Sequence, residues 1–344
     1  MKYMPTSNMD KQLLLDIVER RAFPGTGERA ALVETHISWV ILTPSFAFKI
    51  KKPVRLDFLD FSTLELRRRF CEQELLLNRR LAPDTYLGVL PVGRKDGKLQ
   101  IGGELDETLD FAVQMRREND ALQLDKLLRS GGVVASDLER LAHKLAAFHR
   151  SHALQNIDFE PAALEADFAD LFHHERAITT AVGQRATEIL AAMKGALPQL
   201  IQRHSARMKE RARKGFWVDG HGDLHARNIF LTADPIVFDC IEFDPHLRRL
   251  DVLNELAFLC MDLDFFGRPD LAAAFMAFYQ KEHACITLPE DEAIFLFFKA
   301  YRANVRLKVT LIGDTSNRPE TLTAARGYWG LLRKYWEALD EKFA

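Results

Sequence analysis

The sequence predicts an α+β chain in two parts, a small β-rich N-terminal lobe over residues 1–115 and a larger, mainly helical lobe over residues 116–344. Two observations carry this division. Up to about residue 115, short apolar runs alternate with polar residues between turn signals, which is the period-two signature of strands. Beyond about residue 120, apolar residues recur at helical spacing over long stretches punctuated by Gly and Pro. With 344 residues and 47% hydrophobic composition, the chain can bury one large core or two medium ones.

The elements follow in order. Residues 9–22 read as a short amphipathic helix through Leu13 and Ile17, with Asn8 as its expected N-cap. β-rich material covers 31–43, then a Pro44-Ser45 turn, then Phe46–Lys52. Residues 64–81 read as a helix whose buried stripe runs through Phe70, Glu74, Leu77, Asn78 and Leu81. Thr85–Arg94 and Lys98–Gly102 flank the turn Lys95-Asp96-Gly97-Lys98 as a hairpin, and Leu109–Met115 is a further strand. Ser136 and Glu139 form an expected capping box for a helix ending near 145–152. Helical patterning continues through 162–212 and breaks at Gly215-Phe216-Trp217-Val218. From residue 251 onward it resumes, with Gly267-Arg268-Pro269, Leu288-Pro289 and Asn317-Arg318-Pro319 as breaks.

Composition excludes several classes. A net charge of −2 from 47 basic and 49 acidic residues gives no bulk field for nucleic acid or a membrane surface, and runs such as 49–55 and 66–70 read as solvated faces. The first residues lack an apolar leader core, and no apolar stretch approaches the roughly 18–20 residues of a membrane span. The four cysteines, Cys71, Cys240, Cys260 and Cys285, are widely separated and read as buried thiols. A cytoplasmic location is the expectation.

The most informative stretch is His221-Gly222-Asp223-Leu224-His225-Ala226-Arg227-Asn228, with Asp239 eleven residues further on. Phosphoryl transfer asks the protein mainly for positioning and charge neutralisation. Asp223 is placed to accept the proton of an attacking hydroxyl, and Asn228 offers a neutral oxygen to Mg²⁺. Ile229–Leu231 and Ile236–Phe238 flank a turn and would bring Asp239 back to the same metal. Two other readings compete: His221, Asp223 and His225 as ligands of a transition metal, or the loop as a structural turn with hydrogen-bonded polar groups.

This spacing resembles the protein-kinase catalytic loop and its following metal-binding aspartate. The variant carrying His221, Gly222, Asp223, His225 and Asn228 more specifically resembles the aminoglycoside phosphotransferase family of small-molecule kinases. The resemblance implies a bilobal, protein-kinase-like α+β fold with ATP bound between the lobes. It also implies Mg²⁺-dependent transfer of the γ-phosphoryl to a small-molecule hydroxyl. Segments THISWV, FAFKIKKPV, LDFSTLELR, NRRLAP and AFH look like a bacterial subgroup of this family, some members of which carry an additional P-loop domain. No GxxxxGK[ST] occurs, so only the kinase-like part is expected here.

Such a site requires a lysine on a strand and a glutamate on a helix. Ala47 and Lys49 share one strand face, which would set a small residue over adenine and an ammonium at the phosphates. Lys51 shares that face and is the reserve; taken alone, the segment would read as a basic edge strand. Glu74 interrupts the buried helix face, where a charge must be paired; Glu72 is the alternative. No glycine occurs over Glu34–Ser38, where a phosphate-covering loop is expected, so Thr35 and Ser38 are either phosphate donors or ordinary strand residues. Met115, Arg116 and Arg117 are expected at the adenine-facing hinge.

An acidic series, Glu242, Asp244, Asp251, Glu255, Asp262 and Asp264, follows the metal position. Glu242, Asp244 and Asp262 are candidates for a pocket that takes a cationic or polyhydroxylated acceptor. Glu255 is expected to serve structure, with Arg248, Arg249 and the loop histidines as partners for such carboxylates, and Arg302, Arg306 and Lys308 as further cations. His173-His174-Glu175-Arg176 reads as a solvated face. The expectation from another class is a catalytically weak ATP-binding regulatory module acting with a separate P-loop protein.

Overall fold

The alternation within Phe46–Lys51 organises the N-terminal part of the molecule. In the computed structural model, which describes residues 9–25, 29–56, 59–312 and 318–343, the chain divides into two compact units. The first comprises Met1–Leu122 with Ile236–Pro245, and the second Gln123–Pro235 with His246–Ala344.

The first unit is built on an antiparallel sheet of six strands. Along the chain these are β1 (Ala31–Glu34), β2 (Ser38–Leu42) and β3 (Phe46–Lys51), then, after a small ladder of β4 (Arg55–Leu56) and β5 (Leu59–Asp60), β6 (Tyr86–Lys95), β7 (Lys98–Ile101) and β8 (Glu107–Arg116). Their spatial order is β1-β2-β3-β8-β6-β7. Both faces of β3 are used. Phe48 and Ile50 join Ile41, Ala112, Leu14 and Ile17 in a core closed by helix α1 (Lys11–Arg20). Ala47 lies on the other face with Cys71, Tyr86, Val113 and Met115, beside helix α2 (Leu64–Asn78). Period two therefore sends Lys49 and Lys51 toward the α2 side as well.

Turn chemistry fits the expectation. Asp96 and Gly97 both have positive φ, 49° and 74°, and Lys95 pairs with Lys98, as the twist of a tight hairpin requires. At the irregularity between Val92 and Gly93, a Cβ on Gly93 would lie 1.9 Å from the Glu107 carbonyl oxygen, so only glycine fits there.

Helix boundaries needed correction. Asn8 lies outside the described residues; Asp10 caps α1 by accepting from Leu13 N at 2.9 Å. Helix α2 begins at the Thr63 cap and stops at Asn78, three residues short of the expected end. Its buried stripe runs through Arg67, Cys71, Glu74 and Leu77–Asn78, while Phe70 is only half-buried. The sequence pattern found Glu74, Leu77 and Asn78 on this stripe but not Arg67, a buried cation whose Nε meets both oxygens of buried Asp110, at 3.0 and 2.9 Å. Ser136 and Glu139 form no capping box. The helix Ala135–Ser151 starts earlier, and Asp137 Oδ2 accepts from Val134 N at 3.0 Å instead.

The second unit is mostly helical. Pro269, Pro289 and Pro319 each take the first position of a helix, as the expected breaks require; Asn317 lies outside the described residues. The patterned stretch 162–212 resolves into the helices Pro161–Ala169, Glu175–Val182 and Ala186–Arg213. Among the described residues, no helix is long and apolar enough to cross a membrane. A three-stranded antiparallel sheet places Trp217–Asp219 between Arg249–Asp251 and Ala153–Leu154.

Arg211, fully buried, ties this sheet to the helices. Its Nε and Nη2 hold Asp251 at 2.7 and 2.8 Å, and its Nη1 reaches Asp291 at 3.0 Å. Asp251 in turn caps the helix Val252–Phe265 through Leu253 N at 2.8 Å. Replacing Arg211 by Leu strands a buried carboxylate and is expected to cost about 3–5 kcal/mol in urea unfolding; a change below about 1 kcal/mol would contradict this account of the pair.

Candidate active site

The loop after Trp217–Asp219 is held from below by one helix, Val252–Phe265. Glu255, fully buried, accepts from His221 N at 2.5 Å and Gly222 N at 3.0 Å. Asp262 accepts from Ala226 N at 2.9 Å. A Cβ on Gly220 would meet Glu255 Oε1 at 2.9 Å, and Gly222 has φ +83° with the Leu247 carbonyl oxygen 2.8 Å from where a Cβ would stand. Arg302 completes the frame, with Nε on Asn254 Oδ1 at 2.7 Å and Nη1 on the Gly222 carbonyl at 3.3 Å. Three carboxylates of the acidic series, Asp251, Glu255 and Asp262, thus act as anchors for main chain and for Arg211.

On this frame the loop side chains engage one another. Asn228 Nδ2 donates to the Asp223 carbonyl at 3.0 Å and to Asp223 Oδ2 at 3.1 Å. His225 Nε2 lies 3.3 Å from the same Oδ2, and Asp223 N donates to His221 Nδ1 at 3.2 Å. About a third of the Asp223 side chain, 35%, stays open. Burial pushes its carboxyl up, but His225, Arg306 and His221 outweigh that and hold it well below the usual carboxylate range. Among the described residues no three His, Cys, Asp or Glu side chains form a metal-binding group, so the reading of His221, Asp223 and His225 as transition-metal ligands has no ligand set.

The first unit gathers a second cluster. Glu74 has no exposure and is shared by two lysines: Lys49 Nζ lies 2.9 Å from Oε1 and Lys51 Nζ 2.7 Å from Oε2. Lys49 also contacts Asp239 Oδ1 at 2.6 Å, and Lys51 pairs with Glu242. Burial works against the Lys49 ammonium, but Asp239, Glu74 and Glu242 raise it well above its ordinary value, so it stays charged. Asp239 itself sits at φ +64°, with Tyr86 Oη accepting from its N–H at 3.1 Å and Asn78 Oδ1 accepting from Cys240 N at 2.9 Å.

Several sequence-level candidates have other employment. Ala47 and Met115 are register partners and both nearly buried. Ser38 is buried at the start of β2, where the Thr35 hydroxyl closes the turn by accepting from Ser38 N at 3.0 Å. Glu242 is buried against Lys51, Asp262 is spent on Ala226 N, and Asp244 is half-buried. Sequence reasoning missed Tyr86, which carries no motif, and read Asn78, one helical turn after Glu74, only as part of a buried helix face. Glu72 is exposed and pairs with Arg68, so Glu74 is the glutamate at the lysines.

The Glu74 pairing has an acid signature. Burial raises its carboxyl, but Lys49 and Lys51 outweigh burial and lower it to about 2, against ~4.3 for a free glutamate. Its contribution to stability is therefore fully present above about pH 4.3 and lost as the pH falls toward 2. The Glu74→Gln variant should show a shallower fall of urea midpoint with pH across that window; a slope equal to wild type would refute the pairing.

Comparison with known proteins bears on the family and the fold. Residues 123–290 match the model of the phosphotransferase enzyme family. An uncharacterized protein of Mycobacterium tuberculosis, Rv2004c, is 35% identical over 300 residues, covering 85% of this chain and 57% of that protein; its Mycobacterium bovis counterpart Mb2027c matches equally. The chain thus spans a little over half the length of these relatives. Among solved structures, a choline kinase from Cryptosporidium parvum has a TM-score of 0.55 at 12% identity, covering 96% of this chain and 97% of that one. A Plasmodium vivax ethanolamine kinase gives 0.51 at 10% identity, covering 94% and 87%. The fold is the protein-kinase-like α+β fold of these enzymes, and over residues 123–290 the chain is similar to the phosphotransferase enzyme family.

Proposed function

We propose that this chain transfers the γ-phosphoryl group of ATP to a hydroxyl of a small molecule, with Mg²⁺ as its metal. The observation that carries the reading is Asp223: an ionised, partly open carboxylate with one oxygen, Oδ2, engaged by Asn228 and His225. Oδ1 remains to accept a hydrogen bond from an incoming hydroxyl. A carboxyl held so far below neutrality is a weak base. It suits a loose transition state, where the acceptor must be oriented first and loses its proton late.

Lys49 is the proposed phosphate anchor and Glu74 its orienting partner. Asp239 and Asn228 each offer an oxygen of the kind a hard cation takes. The Asp239 side chain is a 44% exposed carboxylate, and both hydrogen bonds of the Asn228 amide described above are donated by Nδ2, leaving its oxygen as a ligand. When bound, Mg²⁺ supplies neutralisation of charge on the phosphate oxygens. The acceptor is defined here by its hydroxyl; Glu242 is buried against Lys51 and Asp262 is engaged by Ala226 N.

Replacing Asp223 by Ala is expected to lower phosphoryl transfer by about 10²–10⁴-fold while leaving Mg·ATP binding in calorimetry near wild type. Replacing Asp239 by Ala should instead remove the Mg²⁺-dependent part of ATP binding. Retained turnover in the first variant, or unchanged Mg·ATP affinity in the second, would overturn the respective role.

A further inference from the structure

Lys49 and Lys51 stand two residues apart on one face of β3 and share Glu74, yet their surroundings differ. Lys49 keeps 15% of its side chain exposed and meets the open carboxylate of Asp239. Lys51 has 1% of its side chain exposed, lies 4.8 Å over the ring of buried Phe61, and divides its charge between Glu74 and Glu242. A sealed ammonium with two carboxylate partners cannot reach a phosphate.

We infer that Lys51 and Glu242 are positioning residues: their buried pair fixes the segment carrying Asp239 to the sheet and keeps Lys49 free for its ligand. This assignment rests on the nucleotide reading above. Glu242 lies three residues after Asp239, so the pair closes the far side of a segment already held at Asp239 N by Tyr86 and at Cys240 N by Asn78. Lys51 also balances charge. The cluster holds two ammonium groups and the carboxylates of Glu74, Asp239 and Glu242. Without Lys51, Lys49 is, among the described residues, the one cation left paired with any of these three carboxylates. It is then drawn toward Glu74 and Glu242, and Asp239 loses both its partner and its tether.

The test is ATP binding to the full chain by calorimetry across a Mg²⁺ titration. It compares wild type with Lys51→Met, the double variant Lys51→Met/Glu242→Leu, and Lys49→Met. Lys51→Met alone strands buried carboxylates and should lower the thermal midpoint. The double variant replaces the pair by apolar side chains, which buried ion pairs often tolerate, and keeps the test independent of folding. In the folded double variant, the Mg²⁺-dependent gain in ATP affinity should fall by about 10–100-fold, the usual effect of losing groups that orient a metal ligand. ATP binding without Mg²⁺ should stay near wild type there and fall in Lys49→Met. Wild-type Mg²⁺ dependence in the folded double variant overturns this assignment alone. Absence of Mg²⁺-dependent ATP binding in the wild-type chain overturns the nucleotide reading and the assignment with it.

Discussion

A charge removed from water must be paired, and in each unit the candidate residues hang on one carboxylate that obeys this constraint. In the first unit it is Glu74, without exposure, with one oxygen on Lys49 and the other on Lys51. In the second it is Glu255, also without exposure, whose oxygens take the N–H groups of His221 and Gly222. Neither group has freedom to move: displacing it would leave a buried charge unmatched. Lys49 and Asp223 thereby acquire fixed addresses on rigid elements, a strand in one case and a helix-anchored loop in the other.

The same constraint explains why acidic residues accumulate after the signature loop. Asp251 holds Arg211 and caps a helix, Glu255 and Asp262 hold main chain, and Glu242 holds Lys51. An acidic series that in sequence suggests a field for a cationic ligand is, in the fold, a set of internal braces. Pre-organisation of this kind is what phosphoryl transfer demands, because the protein supplies geometry and fixed charge more than covalent chemistry.

Much of this was legible in the sequence, for physical reasons that differ by element. The strands and the Asp96-Gly97 hairpin were readable because period-two patterning and positive-φ turn residues are local properties. The loop from His221 to Asn228 was readable as one unit because its polar side chains, close in sequence, engage one another directly. Helix α2 was harder: the sequence stripe held at Glu74, Leu77 and Asn78, but the buried Arg67 and Cys71 were missed and the stripe was extended to Phe70 and Leu81 instead. The start of the helix Ala135–Ser151 was misread because Asp137, not Glu139, serves the free N–H. Pairings between residues about 190 apart in sequence, Lys49 with Asp239 and Lys51 with Glu242, leave no local trace of which lysine takes which partner.

The most direct test of the central claim follows the γ-phosphorus of ATP by ³¹P NMR. The wild-type chain and its Asp223→Asn variant would each be incubated with Mg²⁺ and pooled small-molecule alcohols, including sugars, amino alcohols, nucleosides and aminoglycosides. The account predicts a phosphomonoester resonance growing at the expense of the γ signal with wild type alone. An undiminished γ signal with wild type, or equal ester formation by both proteins, would contradict it.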